Sequence, residues 1–302
     1  MEGKKEFIKK SIDASAFVST GAEGIKINPN IWDYKIRDYE EANLIITPLA
    51  EQFDFRGAGV DYKVTIDEAP SASALLTETV DITVGTISTR SVTFTPTEYG
   101  SRYQLTRKEA VRAFFNVAER MTKKLGYALY LKKDAVAVAV LQAATTILYS
   151  NSKTAATDLA STDTLNYALI TKGISTMEGK YYMPNKLLIN YTQKNQLLDL
   201  QSVNDASKFG TRTALERGLL GELFGVQIFV SHSIATSSNV AKAILLGQSR
   251  TGEQAFGYAI KRDPMVETQY FAAGRYWDIV THEEYDFKIL HEGAIALLAT
   301  YA

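Results

Sequence analysis

The chain has 302 residues, of which 46% are hydrophobic and 22% charged, the balance of a globular protein with a buried core. Its formal net charge of −1 argues against a nucleic-acid-binding protein, and the absence of cysteine excludes disulfides, thiolate catalysis and cysteine-ligated zinc sites. No apolar run reaches the ~18 residues of a membrane-spanning helix, so no membrane partner is expected.

Residues 1–52 are predicted to form an N-terminal arm. Short apolar clusters, such as Phe7/Ile8 and Ile31/Trp32, lie among glycine, asparagine, proline and charged residues without a sustained period. Because such a segment cannot bury much apolar surface against itself, we expect it to pack on its own domain or on a neighbouring molecule.

Residues 53–105 are predicted to form a long β-hairpin, because threonine and β-branched residues dominate and apolar residues alternate with polar ones. The alternating apolar residues are Val60, Tyr62, Val64, Ile66, Val80, Ile82, Val84, Val92 and Phe94. The small, polar stretch APSASALLTET between the two runs predicts a soft tip. Since both faces are rather polar for a core element, this hairpin needs a partner surface.

Residues 106–160 begin with a long predicted helix. Thr106 and Glu109 form a capping-box pattern, and apolar residues then recur at helical spacing to about Leu148 without a proline. A continuous helix of ~40 residues is ~60 Å long, whereas a compact domain of this chain length is about 50 Å across. Either Gly126 divides the pattern into two helices, or the molecule is elongated and suited to contacts with neighbours.

The second half of the chain follows a polar linker at residues 150–163, where a domain boundary is expected. The stretch TLNYALITKGISTMEGK predicts an amphipathic helix, and it precedes a buried strand at Lys186–Asn190 and a helix capped by Thr192. The remainder is rich in strand patterns. Helices and strands mix without the regular alternation of a doubly wound sheet, so the predicted fold class is α+β.

The stretch GLLGELFGVQIFVSHSI holds three glycines but lacks the Lys-Ser/Thr pair of a phosphate-binding loop. We interpret LLGELF as the last turn of a helix and Gly225 as its C′ residue, where a left-handed conformation is needed. The following VQIFV is predicted to be a strand. This interpretation requires no site chemistry.

No motif predicts an active site. GAGVDY lacks the last glycine of a dinucleotide fingerprint and opens a strand, and GQSRTG has one residue too many for a nucleophile elbow. Ser231 and Ser233 flank His232, but neighbouring strand residues point to opposite faces. His282 and His291 are nine residues apart, so within one strand they would not share a metal ion. The sequence therefore predicts no catalytic, cofactor-binding or metal-binding residues.

The charged residues form no basic stripe. Lys124 and Lys133 lie on opposite sides of the predicted helix at 100° per residue. Glu283, Glu284 and Asp286 are interpreted as a solvated or interface-facing strand edge.

The order of several stretches along the chain carries a resemblance to a known family. These are TPTEYGSRYQLTRKEA, DTLNYALITKG, YYMPNKLLINYTQKNQLLDL, GLLGELFGVQIFVSHSIA, AILLGQSRTGEQAFGYAIKRDPMVE and DIVTHEEYDFKILHEGAIALL. In that order they resemble the extended loop, spine helix, axial domain and last strands of the Hong Kong 97 fold. Major capsid proteins of tailed bacterial viruses and their archaeal relatives have this fold.

This resemblance implies a structural subunit that forms pentamers and hexamers of an icosahedral shell around packaged double-stranded DNA. No enzymatic activity and no cofactor are expected, and the chain would be found in the virion capsid and, during assembly, in the host cytoplasm. The implied segments are an N-terminal arm (1–52), an extended loop (53–105), a spine helix with the start of the peripheral domain (106–160), an axial domain (161–250) and return strands to the peripheral domain (251–302).

The resemblance also implies partners. Some relatives begin with a cleaved scaffolding segment, whereas here the arm begins almost at once, so a separate scaffold protein or a trimmed chain is expected, together with a portal. Some relatives cross-link a loop lysine to an asparagine of a neighbour. Lys63 lies in the loop region, but nothing in the sequence indicates that it reacts.

Three alternatives remain at this point. An encapsulin-like compartment shell has the same fold and encloses an enzyme instead of DNA. A hydrolase could assemble its site from scattered Asp, Glu and Ser residues, in a concave pocket. Tail-tube and decoration proteins are usually shorter or all-β, and the long helix argues against them.

Deleting residues 1–40 is expected to impair assembly more than subunit folding, because the arm, including Trp32, would lie on neighbouring subunits. Sedimentation velocity and electron microscopy measure assembly, and circular dichroism measures folding. Shells of normal size from the truncated chain would contradict this role of the arm.

Overall fold

A computed structural model describes residues 45–57, 59–67, 88–112, 117–199 and 221–302 of the chain. Helices and strands mix irregularly through these ranges, which confirms the α+β class. Most of the predicted N-terminal arm, the predicted hairpin tip and the segment 200–220 lie outside the described residues. Among the described helices, none is long and apolar enough to cross a bilayer.

One sheet has four strands in the order β1-β10-β11-β4. Its strands are β1 (Glu51–Asp54), β4 (Thr97–Thr106), β10 (Phe256–Phe271) and β11 (Tyr276–Ile289). β10 and β11 form a long antiparallel hairpin, and β4 pairs with the other side of β11. β1 runs parallel to β10 but pairs only with Gly257–Ile260. The distal part of β10, residues 265–271, therefore has no partner on that side among the described strands.

A second sheet has six strands in the order β5-β12-β9-β6-β8-β7. Its strands are β5 (Ile147–Tyr149), β6 (Met183–Ile189), β7 (Glu222–Leu223), β8 (Val226–Val230), β9 (Val240–Gln248) and β12 (Ile295–Tyr301). β9 and β12 are buried along nearly their whole length, as their continuous apolar sequences require. The last strand of the chain thus joins this sheet, whereas β10 and β11 belong to the four-stranded one.

β2 (Tyr62–Asp67) and β3 (Thr89–Phe94) form a separate antiparallel pair. This pairing confirms the described part of the predicted hairpin, whereas Thr97–Thr106, which the prediction also placed largely in the hairpin, pairs with β11. Phe94 is fully buried, and the ring of Phe53 packs against it with centroids 5.6 Å apart. One face of the pair is therefore covered near this end, while Lys63 and Thr65 on the other face are exposed.

The described α-helices are α1 (Arg107–Arg112), α2 (Val117–Gln142), α3 (Tyr167–Glu178) and α4 (Tyr191–Asp199). The Thr106 hydroxyl accepts a hydrogen bond from the N–H of Glu109 at 3.2 Å, which confirms the predicted N-cap. α2 has 26 residues and continues through Gly126, so a helix break at that glycine is wrong.

The helical pattern predicted up to Leu148 is wrong beyond Gln142, where α2 ends. Ile147–Tyr149 form β5 instead, and Leu148 pairs in parallel with Leu298 of β12. Pairing with the buried strand β12 therefore makes this β-branched and aromatic segment a strand, although local spacing alone assigned it to the helix. The linker that follows contains short 3-10 turns at Ser150–Ser152 and Ala156–Asp158.

The predicted helix end at Gly225 is also wrong. Glu222–Leu223 and Val226–Val230 are the two strands of a tight hairpin, with Leu223 opposite Val226. Phe224 has φ +55° and Gly225 has φ +77°, and two positive φ values are what a type I′ turn needs. Gly225 adopts the left-handed conformation as predicted, but it lies between two strands and not at the end of a helix.

The predicted strand at Lys186–Asn190 runs one residue too far, and the predicted cap at Thr192 is wrong. β6 ends at Ile189, and the Asn190 side chain accepts a hydrogen bond from the N–H of Gln193 at 2.7 Å. The Gln193 side chain in turn accepts the N–H of Asn190 at 3.4 Å. Reciprocal bonds of this kind satisfy two donors that the first turn of α4 cannot satisfy itself.

A shared core joins the two sheets. Leu141 of α2, Phe256 of β10 and Leu297 of β12 belong to one cluster of buried side chains. A second cluster fills the space between α3 and the six-stranded sheet, and it includes Ile170 and Leu245. The distal ends of β10 and β11 lie beyond both clusters, where β10 is exposed.

Replacing Asn190 with alanine is expected to destabilise the subunit by about 1 kcal/mol, because it removes the N-cap of α4. Urea unfolding followed by circular dichroism measures this change. Thr192→Ala is the matched control, since Thr192 is exposed, and it is expected to change stability by less than about 0.5 kcal/mol. An equal loss in both variants would contradict the assignment of the cap.

Candidate functional site: a buried charge pair and uncovered strand edges

A buried ion pair joins α2 to the four-stranded sheet. Lys133 Nζ lies 3.2 Å from Glu283 Oε2, and the two side chains are only 7% and 1% exposed. The interpretation of Glu283 as part of a solvated edge is therefore wrong, because α2 covers that face of β11. Glu284 and Asp286 are partly exposed and pair with Lys261 and Lys288.

Aromatic rings surround the buried ammonium group. Lys133 Nζ lies 4.9 Å from the ring centroid of Tyr285 and 5.1 Å from that of Tyr258. Tyr99 stacks on Tyr285 with centroids 4.8 Å apart. Ring faces attract a cation, so these tyrosines offset part of the cost of removing Lys133 from water. Tyr285 and Tyr258 lie on β11 and β10, so the Lys133 charge ties these two strands to α2. The Tyr99 ring of β4 lies beside the neighbouring Lys132, whose Nζ is 5.9 Å from its centroid.

Burial shifts the pKa values of two groups of this cluster, Glu283 and Tyr285. It raises the pKa of the Glu283 carboxyl, and the Lys133 ammonium opposes that rise. Burial also raises the pKa of the Tyr285 hydroxyl, and the charge of Glu283 adds to the effect. Neither Glu283 Oε1 nor the Tyr285 hydroxyl has a hydrogen-bond partner within the described structure. These groups sit in the core, which suits a structural tie better than proton transfer to a substrate.

Asp134, the next residue of α2, binds the beginning of the described chain. Its carboxylate accepts hydrogen bonds from the N–H groups of Ile46 at 3.2 Å and Thr47 at 3.1 Å. The Ser233 hydroxyl donates a further bond to it at 3.4 Å. The main chain at Ile46 and Thr47 is thus attached to the middle of α2 through one buried carboxylate.

The histidines singled out in the sequence have separate environments. His232 packs edge-on against Tyr191, and His282 is buried within β11. β11 ends at Ile289, so the premise that His282 and His291 share one strand is wrong. His291 Nε2 lies 3.2 Å from Glu253 Oε2. In the described ranges no cluster of His, Asp or Glu side chains could hold a metal ion.

The exposed apolar residues point to contacts between molecules. Met265, Val266 and Tyr270 of β10 are about half exposed. The β2–β3 pair packs one face on Phe53 and Phe55, while Lys63 and Thr65 on its other face are exposed. A shallow hollow beside the distal strands is lined by Glu267, Thr268, Gln269, Asp278 and Val280. Asp278 is already occupied there, because its Oδ1 accepts a hydrogen bond from Arg102 Nε at 2.7 Å.

The charge pair is the feature that sequence reasoning missed. A signal was present, because Glu283 lies on the same face of β11 as every second residue around it. These residues are all buried: Ile279, Thr281, Tyr285 and Phe287. A carboxylate inside such a buried series predicts a cationic partner. Which lysine supplies it could not be read from spacing, since Lys133 lies 150 positions away.

The chain is similar to a known protein family and to several solved structures. A family model described as phage capsid protein matches residues 89–297, which is more than half of the chain. A solved structure from Mycobacterium phage Che8 is similar with a TM-score of 0.73 and 16% identity, over 89% of this chain and 96% of that one. No curated protein matches significantly.

Two further solved structures are similar over nearly their full length. The capsid structure of cyanophage P-SCSP1u has a TM-score of 0.72 and 16% identity, over 93% of this chain and 95% of that one. The acidic stable capsid structure of Helicobacter pylori bacteriophage KHP30 has a TM-score of 0.72 and 14% identity, over 94% and 100% of the two chains. At such low identity these matches define the fold.

Replacing Glu283 with glutamine is expected to destabilise the subunit by about 3–5 kcal/mol, because the Lys133 ammonium group then remains buried without a counter-charge. The double variant Lys133→Met/Glu283→Leu removes both charges at similar volume, and its stability is expected to equal or exceed that of the wild type. Thermal and urea unfolding of the subunit measure both. A double variant as unstable as Glu283→Gln would show that the packing, and not the unpaired charge, is responsible.

Proposed function

Because this chain belongs to the phage capsid protein family, we propose that its copies assemble as pentamers and hexamers into an icosahedral shell around packaged double-stranded DNA. The chain is a structural protein of the capsid, and its resemblance to Hong Kong 97-fold capsid proteins is confirmed. The single observation that carries the proposal is the family match over residues 89–297. The fold similarity to capsid structures extends it to about nine tenths of the chain.

The shape of the described chain supports assembly. β10 has 16 residues and β11 has 14, and their distal ends project past the shared core. The β2–β3 pair packs one face on Phe53 and Phe55 and leaves the other exposed. Within one subunit the distal edge of β10 and this outer face of the β2–β3 pair stay open, and an open strand edge promotes association. In a shell, both are covered by neighbouring subunits.

The segments take the following roles in this proposal. The peripheral domain contains α2 and the distal β10–β11 hairpin, and the axial domain contains α3 and α4. The proposed limits are 1–52 for the arm, 53–105 for the extended loop, 106–160 for the spine helix and the start of the peripheral domain, 161–250 for the axial domain and 251–302 for the return strands.

The proposal includes partners outside the subunit. With a net charge of −1, the chain is suited to a wall that meets DNA through weak, sequence-independent contacts. A separate scaffold protein and a portal complete the proposed assembly, which takes place in the host cytoplasm. No catalytic activity is proposed, because Glu283 and Tyr285, whose pKa values burial raises, are enclosed in the core.

Expressed and purified chain is expected to form closed shells of tens of nanometres, or free pentamers and hexamers that close when scaffold is added. Sedimentation velocity and negative-stain electron microscopy measure this directly. Nucleic acid recovered from particles produced during infection supports the virus, and an enclosed enzyme would instead indicate an encapsulin-like compartment. A monomer or dimer that resists assembly with scaffold and crowding agents would contradict the proposal.

A further inference from the structure

The helices α1 and α2 give this almost neutral chain one strongly basic segment. Residues 107–132 contain seven lysine and arginine residues and two glutamates, a net charge of +5, whereas the whole chain has −1. From residue 120 to residue 133 no acidic residue occurs. A concentration of one sign along a helix attracts a partner of the opposite charge.

The carboxylates of these helices are engaged within the subunit. Glu119 Oε1 lies 3.1 Å from Lys123 Nζ, and Glu109 accepts a hydrogen bond from the Tyr103 hydroxyl at 2.8 Å. Asp134 is buried and accepts main-chain N–H groups. The surface of α1 and α2 is therefore left with an excess of positive charge.

The basic side chains are on the surface. Arg107, Lys108, Lys123 and Lys132 are exposed, and Lys124 is partly exposed. Within the described ranges, neither Lys124 nor Lys132 lies within ion-pair distance of a carboxylate. These charges are therefore available to a partner outside the subunit.

The outer side of α2 collects basic residues, although Lys133 takes no part in it. Lys133 faces the core, on the opposite side of the helix from Lys124. At 100° per residue, however, Arg120 and Lys123 both lie within about 100° of Lys124 around the helix axis. Three basic residues therefore share the side of α2 that is turned away from Lys133.

The turn between β10 and β11 extends this surface beyond the helices. The carbonyl of Arg275 accepts a hydrogen bond from the N–H of Arg107 at 2.9 Å, and both residues are exposed. The main chain thus holds the turn beside the start of α1, so that these two arginines occupy neighbouring positions on the surface.

We propose that this basic face binds the phosphate backbone of the duplex DNA that the shell encloses, and that it therefore lies on the inner side of the wall. The inference rests on the proposed function, which supplies the enclosed DNA. The basic face consists of Arg107, Lys108, Lys123, Lys124, Lys132 and Arg275.

The dimensions and chemistry of the face suit a duplex. From Arg120 to Lys132, α2 rises ~18 Å, which is the axial length of about five base pairs at 3.4 Å each. Lysine and arginine contacts to phosphates carry no sequence information. Contacts of this kind hold DNA at any point along its length, as a wall around packaged DNA requires.

An acidic protein, such as a scaffold, is the competing partner for a basic face. The centre of a protein–protein interface is usually apolar and poor in charged residues. On the described part of α2, the large apolar side chains that are more than a third exposed are Tyr130 and Leu131, at 43% and 36%. With lysines on both sides of these two residues, the face fits a polyanion better than an apolar partner surface.

Duplex binding by the free full-length chain, before shells close, tests the face. The probe is a labelled duplex of about 30 base pairs, and fluorescence anisotropy measures its affinity between about 50 and 200 mM salt. Lys124→Gln/Lys132→Gln is expected to weaken binding about tenfold. It should also lower the slope of log affinity against log salt by about 1.8, because each phosphate contact contributes about 0.9.

Lys153→Gln/Lys172→Gln is the matched control, because it removes the same charge from exposed lysines of the linker and of α3. Its affinity and salt slope are expected to equal those of the wild type. Thermal unfolding of both double variants should match that of the wild type, since each changes surface side chains. Equal losses in the two double variants, or a wild-type chain that does not bind the duplex, would overturn the inference.

Cysteine labelling tests which side of the wall carries the face, because the chain has no cysteine of its own. In closed particles, Lys124→Cys is expected to react with a small maleimide but not with a large polyethylene-glycol maleimide that cannot enter. After disassembly it should react with both. Reaction with the large reagent in closed particles would place the face outside, and protection from both would place it between subunits. Either result contradicts the proposal.

The outcomes also separate the two partners and the two proposals. A Lys124→Gln/Lys132→Gln chain that binds the duplex normally but no longer sediments with purified scaffold would assign the face to the scaffold and overturn the inference. Closed shells from a wild-type chain that does not bind the duplex contradict this surface alone. Duplex binding through the face by a chain that forms no shell contradicts the proposed function instead.

Discussion

The packing of α2 against β11 is the interaction on which the rest of the described fold depends. Lys133 places its ammonium group between two tyrosine rings and pairs with Glu283, so the helix cannot slide along the sheet without separating buried charges. Asp134 accepts a hydrogen bond from the N–H of Ile46, so it fixes the start of the described chain on the same helix. Two consecutive side chains position the helix against both the sheet and the incoming chain.

After β11 the chain crosses from the four-stranded sheet to the six-stranded sheet. β10 and β11 extend the four-stranded sheet, and β12 then enters the six-stranded sheet beside β9. Gln193 holds that last strand, since its side-chain amide donates to the Thr300 hydroxyl at 2.9 Å and to the carbonyl of Ala241 at 3.3 Å. The C-terminal strand β12 is therefore part of the buried core, whereas the distal end of the β10–β11 hairpin lies outside it.

Membership of a capsid family and the location of the exposed surfaces agree with each other. Glu283 and Tyr285, whose pKa values burial raises, lie in the core, where they join elements of one subunit. The uncovered features are main-chain edges and half-exposed apolar side chains, as at Val266. Edges of this kind can bind other strands by main-chain hydrogen bonds, which agrees with the structural role of a capsid protein.

The sequence by itself determined the α+β class, α2, the β2–β3 strands and the cap at Thr106, because each depends on the spacing of residues close together in the chain. Only the tertiary structure decided that Ile147–Tyr149 is a strand, that β8 follows a hairpin turn and that Glu283 is buried. β5 needs the distant β12, β8 needs β6, and Glu283 needs a lysine on α2. Local periodicity carries no record of distant partners, and it is the burial they provide that selects among conformations which the local sequence allows.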